Sequence, residues 1–208
     1  MINARPSARP ASTGRALTVC VFAGARSGGS PAAVEAATEA GTELGLRGHH
    51  LLYGAGGAGI MGAVARAAAA AGAPITGVVP KFLYERERAQ QAPAQRHVIT
   101  DDMFDRKRYM LDASDAFLAL PGGFGTVDEV LDVISLQTLG LLSKPCVLLD
   151  TEGIWSQLVG LLEELPRRGY ADRVVGGPLW IASSPKEALD TLETAALLGD
   201  RTHEVIGA

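Results

Sequence analysis

The sequence predicts one α/β domain, a single parallel sheet with helices on both faces, and three observations carry that prediction. Apolar, β-rich runs of strand length recur along the chain, separated by longer segments with helical spacing. The central runs are apolar at consecutive positions, as strands covered on both faces are. Two glycine-rich segments fall where a strand hands over to a helix. That combination describes a Rossmann-like fold, in which ligands bind beyond the carboxyl ends of the strands.

The elements follow in order. Leu17 to Ala23 reads as the first strand, and Ser30 with Pro31 supplies the cap and first turn of a helix. That helix sets Val34, Ala37, Gly41 and Leu44 on one stripe and stops near Gly48. Strands at Leu51 to Tyr53 and Ile75 to Val79 flank an alanine-rich helix from Ile60 to Ala71. A helix from Asp102 to Ala113 precedes the strand Ala116 to Leu120, and a helix from Thr126 to Leu142 follows it. Cys146 to Leu149, a helix from Ile154 to Arg168, Leu179 to Ala182 and a helix from Pro185 to Leu197 complete the alternation. No internal repeat or long linker divides the chain. Residues 1–15 carry Arg5, Arg9 and Arg15 with Pro6 and Pro10 and no acid, and are expected to form a disordered arm. One Rossmann-like domain is expected over 16–200, with a tail over 201–208.

Composition sets outer bounds. The chain has 208 residues, 25 of them Gly and 11 Pro, and 47% are apolar, which suits one loop-rich domain. A net charge of −4 and a pI near 5.6 offer no basic face for a polyanion, so a nucleic-acid partner is not expected. Every apolar stretch is interrupted well before the roughly 20 residues that cross a bilayer, so no membrane partner is expected either. Cys20 and Cys146 lie inside apolar runs, as buried free thiols of a reducing, cytoplasmic setting do. Neither they nor the four His show metal-ligand spacing.

The first glycine segment, Tyr53-Gly54-Ala55-Gly56-Gly57-Ala58-Gly59-Ile60-Met61-Gly62, formally contains G-x-G-x-x-G. A dinucleotide fingerprint also wants an acid about 20 positions later, and the next strand ends Val78-Val79-Pro80-Lys81 instead. Either the loop touches phosphate or ribose through Gly56, Gly57 and Met61, or it is a tight turn that lets helix and sheet approach closely. The second segment is Leu120-Pro121-Gly122-Gly123-Phe124-Gly125-Thr126-Val127-Asp128-Glu129. Its glycines leave backbone N–H groups unshielded at the positive end of a helix, where a phosphate ester binds well. The competing structural reading is a capping box, with Thr126 capping the helix and Glu129 folding back onto it. Asp128 suits either, as an acid near the helix dipole.

The helix between the loops adds two cations. If Asp101 or Asp102 caps it, Asp105, Arg108 and Asp112 share a solvated side, while Arg106 and Lys107 project from the side that carries Met103, Phe104 and Met110. Adjacent cations on an apolar side, near a glycine-rich loop, point to a bound phosphate or carboxylate.

Taken together, Asp102-Met103-Phe104-Asp105-Arg106-Lys107 and Pro121 through Glu129 resemble the D-M-x-x-R-K and P-G-G-x-G-T-x-x-E motifs of the LOG (Lonely guy) family. Its members are cytokinin riboside 5′-monophosphate phosphoribohydrolases, often mislabelled lysine decarboxylases. The similarity runs from about Val19 to Leu192 and includes Gly54 to Gly62, Gly77 to Lys81, Ser114 to Phe117 and Lys144-Pro145. The resemblance implies hydrolysis of the N-glycosidic bond of a nucleoside 5′-monophosphate, a cytokinin riboside monophosphate or AMP, to free base and ribose 5-phosphate. It implies Arg106 and Glu129 as the catalytic pair, with Lys107, Gly122, Gly123, Phe124, Gly125, Thr126 and Asp128 binding substrate. It also implies a homodimer, and the reaction calls for no metal or organic cofactor.

The chain departs from the family pattern in places. Ala23-Gly24-Ala25-Arg26 stands where C-G-S-S is usual, Ala55 interrupts a G-G-G run, and Phe104 stands where His is usual. Leu136-Gln137-Thr138-Leu139-Gly140 replaces W-A-Q-L-G, and 85–95 does not follow R-E-x-x-x-x-G. These changes bear on base preference. The departures at Arg26 and Ala55 favour a second class of function, a nucleotide or molybdenum-cofactor carrier that binds without hydrolysing. An NAD(P)-dependent oxidoreductase is a third.

Overall fold

The computed structural model describes residues 15–88 and 92–206. The arm expected over 1–15 therefore lies, apart from Arg15, outside the described residues. Seven strands form one parallel sheet: β1 (Thr18–Phe22), β2 (His50–Tyr53), β3 (Ile75–Pro80), β4 (Arg96–Thr100), β5 (Ala116–Ala119), β6 (Cys146–Leu149) and β7 (Leu179–Ala182), in spatial order 4-3-2-1-5-6-7. The helices are α1 (Ala32–Leu46), α2 (Gly59–Ala70), α3 (Lys81–Arg88), α4 (Met103–Asp112), α5 (Phe124–Thr138), α6 (Ser156–Arg167) and α7 (Pro185–Ile206).

The sheet is buried on both faces because its central strands are apolar at nearly every position. Val19, Val21 and Ala23 face the layer of α1, α2 and α7, while Cys20 and Phe22 face that of α4, α5 and α6. Leu118 and Leu120 against Phe117 and Ala119 repeat the split beside β1. Small residues set the spacing of α1 and α2: a Cβ on Gly41 would stand 2.3 Å from Val64 O, and one on Gly45 2.4 Å from Ala71 Cβ. Both cysteines are free and fully buried, and burial pushes the Cys146 thiol up to about 12.

Periodicity misses α3 and β4. The first is strongly charged, and the second is a sheet edge in which Arg96, His97 and Ile99 are exposed, so neither carries a core-facing pattern. The first helix begins at Ala32, whose N–H donates to Ser30 Oγ at 3.2 Å. The fifth begins at Phe124 rather than Thr126, the sixth at Ser156 rather than Ile154, and the last runs to Ile206, past Leu197 and into the stretch expected as a tail. Among the described residues no helix is long and apolar enough to cross a membrane.

Candidate active site

Strand order makes the crevice. The chain moves outward from β1 through β2, β3 and β4, then returns to lay β5 against the other side of β1, so connections leave β1 and β5 in opposite directions. Three loops meet at the carboxyl ends there. Gly24 N–H donates to Pro121 O at 3.1 Å and Met61 N–H to Gly24 O at 3.0 Å, tying the turns after β1, β2 and β5 together. Glycine is required at two of these contacts. A Cβ on Gly59, whose φ is +59°, would stand 2.5 Å from Ala25 C, and one on Gly24 would stand 3.1 Å from Gly122 Cα.

Arg106 enters from α4. Asp102 caps that helix by accepting from Asp105 N–H at 2.8 Å, and the Asp105–Arg108 pair lies on the solvated side at 3.3 Å as its spacing predicts. Arg106 itself is 8% exposed, with Nη2 3.6 Å from Glu129 Oε1 and Nη1 3.8 Å from Met103 Sδ. The first distance is an ion pair without a hydrogen bond. The guanidinium lies against the bare backbone of Gly54, where a Cβ would come 2.0 Å from Nη2 and 3.3 Å from Met61 Sδ. Arg106 Nε is buried and has no acceptor among the described residues.

Glu129 lies in the second turn of α5 with its side chain 11% exposed. Burial is the main cause that pushes its carboxyl from 4.5 up to about 7; Arg106 and Lys107 oppose the rise, and Asp128 and Asp132 add to it. Carboxyls held near neutrality in a crevice are suited to proton transfer and charge stabilisation.

The capping box does not form. Gly123 is the N-cap of α5, no side chain caps it, and Thr126 stands inside the first turn, 4% exposed. Its hydroxyl explains Gly122 instead, since a Cβ there would stand 2.1 Å from Thr126 Oγ1. Gly123, Phe124 and Gly125 are exposed, Phe124 at 95%, so the helix presents its positive end openly.

Lys107 differs from the sequence expectation of an unpaired cation. Its ammonium bridges Asp128 at 3.0 Å and Asp132 at 2.7 Å and sits 5.6 Å from the centre of the Phe104 ring. Those carboxylates hold it protonated against the burial that opposes them. Asp132 escaped notice in the sequence, although its i,i+4 spacing from Asp128 on α5 puts both acids on one face. In the first glycine loop Gly56 N–H points to Met61 Sδ at 3.2 Å, and Gly57 O accepts from Arg66 Nη1 at 2.7 Å. A Cβ on Gly62 would stand 2.1 Å from Gly57 O, so close approach accounts for Gly62 as it does for Gly54 and Gly59. The contact of Gly54 with Arg106 carried no local sequence signal.

A cavity of about 550 Å³ lies elsewhere, beside α7, lined by Trp180, Lys186, Asp190 and Thr194 among others. It holds no buried ion pair, whereas the crevice at β1 and β5 does. Among the described residues no group of acids, His or Cys is arranged to hold a metal.

Comparison with known proteins adds three findings. The family described as "Possible lysine decarboxylase" matches residues 61–192. Two cytokinin riboside 5′-monophosphate phosphoribohydrolases of Arabidopsis thaliana are similar over most of their length. LOG1 is 37% identical over 175 residues, 84% of this chain and 82% of that protein. LOG3 is 34% identical over 183 residues, 88% and 85%. Among solved structures, the Moco carrier protein of Chlamydomonas reinhardtii superposes with a TM-score of 0.65 at 20% identity, covering 87% of this chain and 98% of that one. At that identity the likeness establishes the fold alone.

Proposed function

The chain belongs to the LOG family of cytokinin riboside 5′-monophosphate phosphoribohydrolases, and from that premise we propose that it hydrolyses the N-glycosidic bond of an adenine-type nucleoside 5′-monophosphate, with Glu129 and Arg106 as the catalytic pair. The observation that carries this reading is a carboxyl near pKa 7 buried beside a guanidinium, where the uncapped start of α5 opens into the crevice. Hydrolysis breaks the bond from C1′ to the base nitrogen and forms one from C1′ to water. The bonding pair leaves with the base, and positive charge grows on C1′ and the ring oxygen. An ionised Glu129 faces that charge and accepts the proton that water loses; the departing base takes up a proton from solvent and Glu129 returns its own, so that one water is consumed and the carboxylate is restored. Arg106 favours the ionised form of Glu129 and offers its unpartnered Nε–H, which a substrate acceptor would satisfy. The phosphate sits on the amides of Gly123 to Thr126, fixing the sugar for attack. Asp128 and Asp132 fix Lys107, and with Phe124 and Gly122 they shape the rim.

Decarboxylation, the activity in the family description, has no lysine suited to pyridoxal chemistry. Lys81 pairs with Asp101, Lys107 with Asp128 and Asp132, and Lys186 with Asp190, while Lys144 Nζ donates to the carbonyls of Leu111 and Asp112. The exposure of Leu131 along α5, and of Leu139 and Leu141 in the turn after it, supports the homodimer implied by the resemblance; gel filtration tests it. A cytoplasmic location accords with two free thiols. Incubation with AMP and with its N6-isopentenyl analogue is expected to release base and ribose 5-phosphate. Intact nucleotide after prolonged incubation at high enzyme concentration would overturn the proposal.

A further inference from the structure

Charge around the crevice does not balance for the substrate proposed above. A phosphate monoester is dianionic near neutrality and is held best by charged donors as well as amides. Of the three cations of α4, Arg108 pairs with Asp105 on the solvated side, and the other two are already engaged: Arg106 faces Glu129, and Lys107 lies between Asp128 and Asp132. With those three acids ionised, these side chains alone would repel a dianion. Arg66 donates to Gly57 O from the flank of α2.

Arg26 is different. It is exposed in the turn after β1 and has no hydrogen bond or ion pair among the described residues. Its backbone lies at the seam between the two glycine segments. Arg26 N is 2.6 Å from the point where a Cβ on Gly59 would stand, and Arg26 O is 3.2 Å from the corresponding point on Gly24, which is itself 3.1 Å from Gly122 Cα. Gly28 follows with φ +78° and Gly29 after it, with open space at both, so the segment beyond Arg26 is not crowded by neighbouring chain.

We propose that Arg26 is the phosphate-binding, specificity-determining residue of this site, its guanidinium closing over the 5′-phosphate seated on the start of α5. This rests on the proposed hydrolase reading for the identity of the ligand. A planar guanidinium can grip two phosphate oxygens at once, which main-chain amides on the opposite side leave accessible. The positive charge of Arg26 offsets the excess of acid at the rim and makes the site discriminate nucleotides from nucleosides.

Arg26→Ala and Arg26→Lys test this, with steady-state kinetics on AMP and calorimetric titration of ribose 5-phosphate and adenosine. Arg26→Ala is expected to raise KM for AMP by about 10- to 100-fold and weaken ribose 5-phosphate to a similar extent, with kcat within about 3-fold and adenosine binding unchanged. The Lys variant should fall between, since it keeps charge without the fork. Unchanged ribose 5-phosphate affinity, or equal losses for ribose 5-phosphate and adenosine, would overturn the inference. If the parent protein bound ribose 5-phosphate through Arg26 yet never cleaved AMP, the hydrolase reading would fail and this assignment would stand. Cleavage that is indifferent to Arg26 would do the reverse.

Discussion

Glu129→Gln separates what the carboxyl does for chemistry from what it costs the fold. The ordinary value is 4.5 and the folded value about 7, and each tenfold change corresponds to about 1.4 kcal/mol. Ionising Glu129 in the folded chain is therefore less favourable than in the unfolded chain by about 3 kcal/mol. The attraction of Arg106 is already contained in that net rise, since it opposes burial without cancelling it. Between 4.5 and about 7 the folded chain binds the proton more tightly. The stability contributed by the protonated acid is thus complete below 4.5 and is lost as pH rises through about 7. Glutamine mimics the protonated acid, so the variant should match the parent in acid and exceed it by about 3 kcal/mol in alkali, at roughly 2–4 °C of Tm per kcal/mol for a domain of this size. Turnover of AMP should fall by roughly two to three orders of magnitude while nucleotide still binds. Thermal unfolding of both proteins across pH 5 to 9, beside single-turnover assays, reads both effects. A Tm difference that stays flat with pH would refute the buried-acid argument, and undiminished turnover would refute the catalytic one.

Three further outcomes follow from the same geometry. Asp132→Asn removes an acid that raises Glu129 and frees Lys107, which lowers it; the rising limb of the pH–activity profile should move to lower pH, by less than about one unit, and movement upward would contradict the charge arrangement. Gly54→Ala puts a methyl group 2.0 Å from Arg106 Nη2, so kcat should drop by about tenfold or more while circular dichroism stays unchanged. Gly122→Ala collides with Thr126 at the start of α5, and denaturant unfolding should show a loss of about 1–3 kcal/mol together with weaker ribose 5-phosphate binding.

Some of the site was legible in the chain and some was not, for identifiable reasons. Arg106 and Glu129 were found through motif resemblance, and the apolar side of α4 placed Arg106 inward without it. Thr126-x-x-Glu129 fits a capping box equally well on spacing. The choice turned on where the helix begins, and with Gly123 as the N-cap Glu129 falls a full turn too far along to reach back. Lys107 presented an unpaired cation because its partner Asp128 is 21 residues away, beyond the reach of any helical periodicity. The edge strand β4 was missed because Arg96 and His97 give it no buried face to betray it.

The alternation of strands and helices, the free buried cysteines and the two glycine loops were determined by the sequence itself. Each arises from interactions among residues a few positions apart or from the need to hide consecutive apolar side chains. Tertiary structure alone decided which acid meets which base, and how far Glu129 is withdrawn from water. Desolvation and ion pairing depend on atoms that surround a group in space, and those come from α4, α5 and the turn after β2, segments that only the folded sheet brings together.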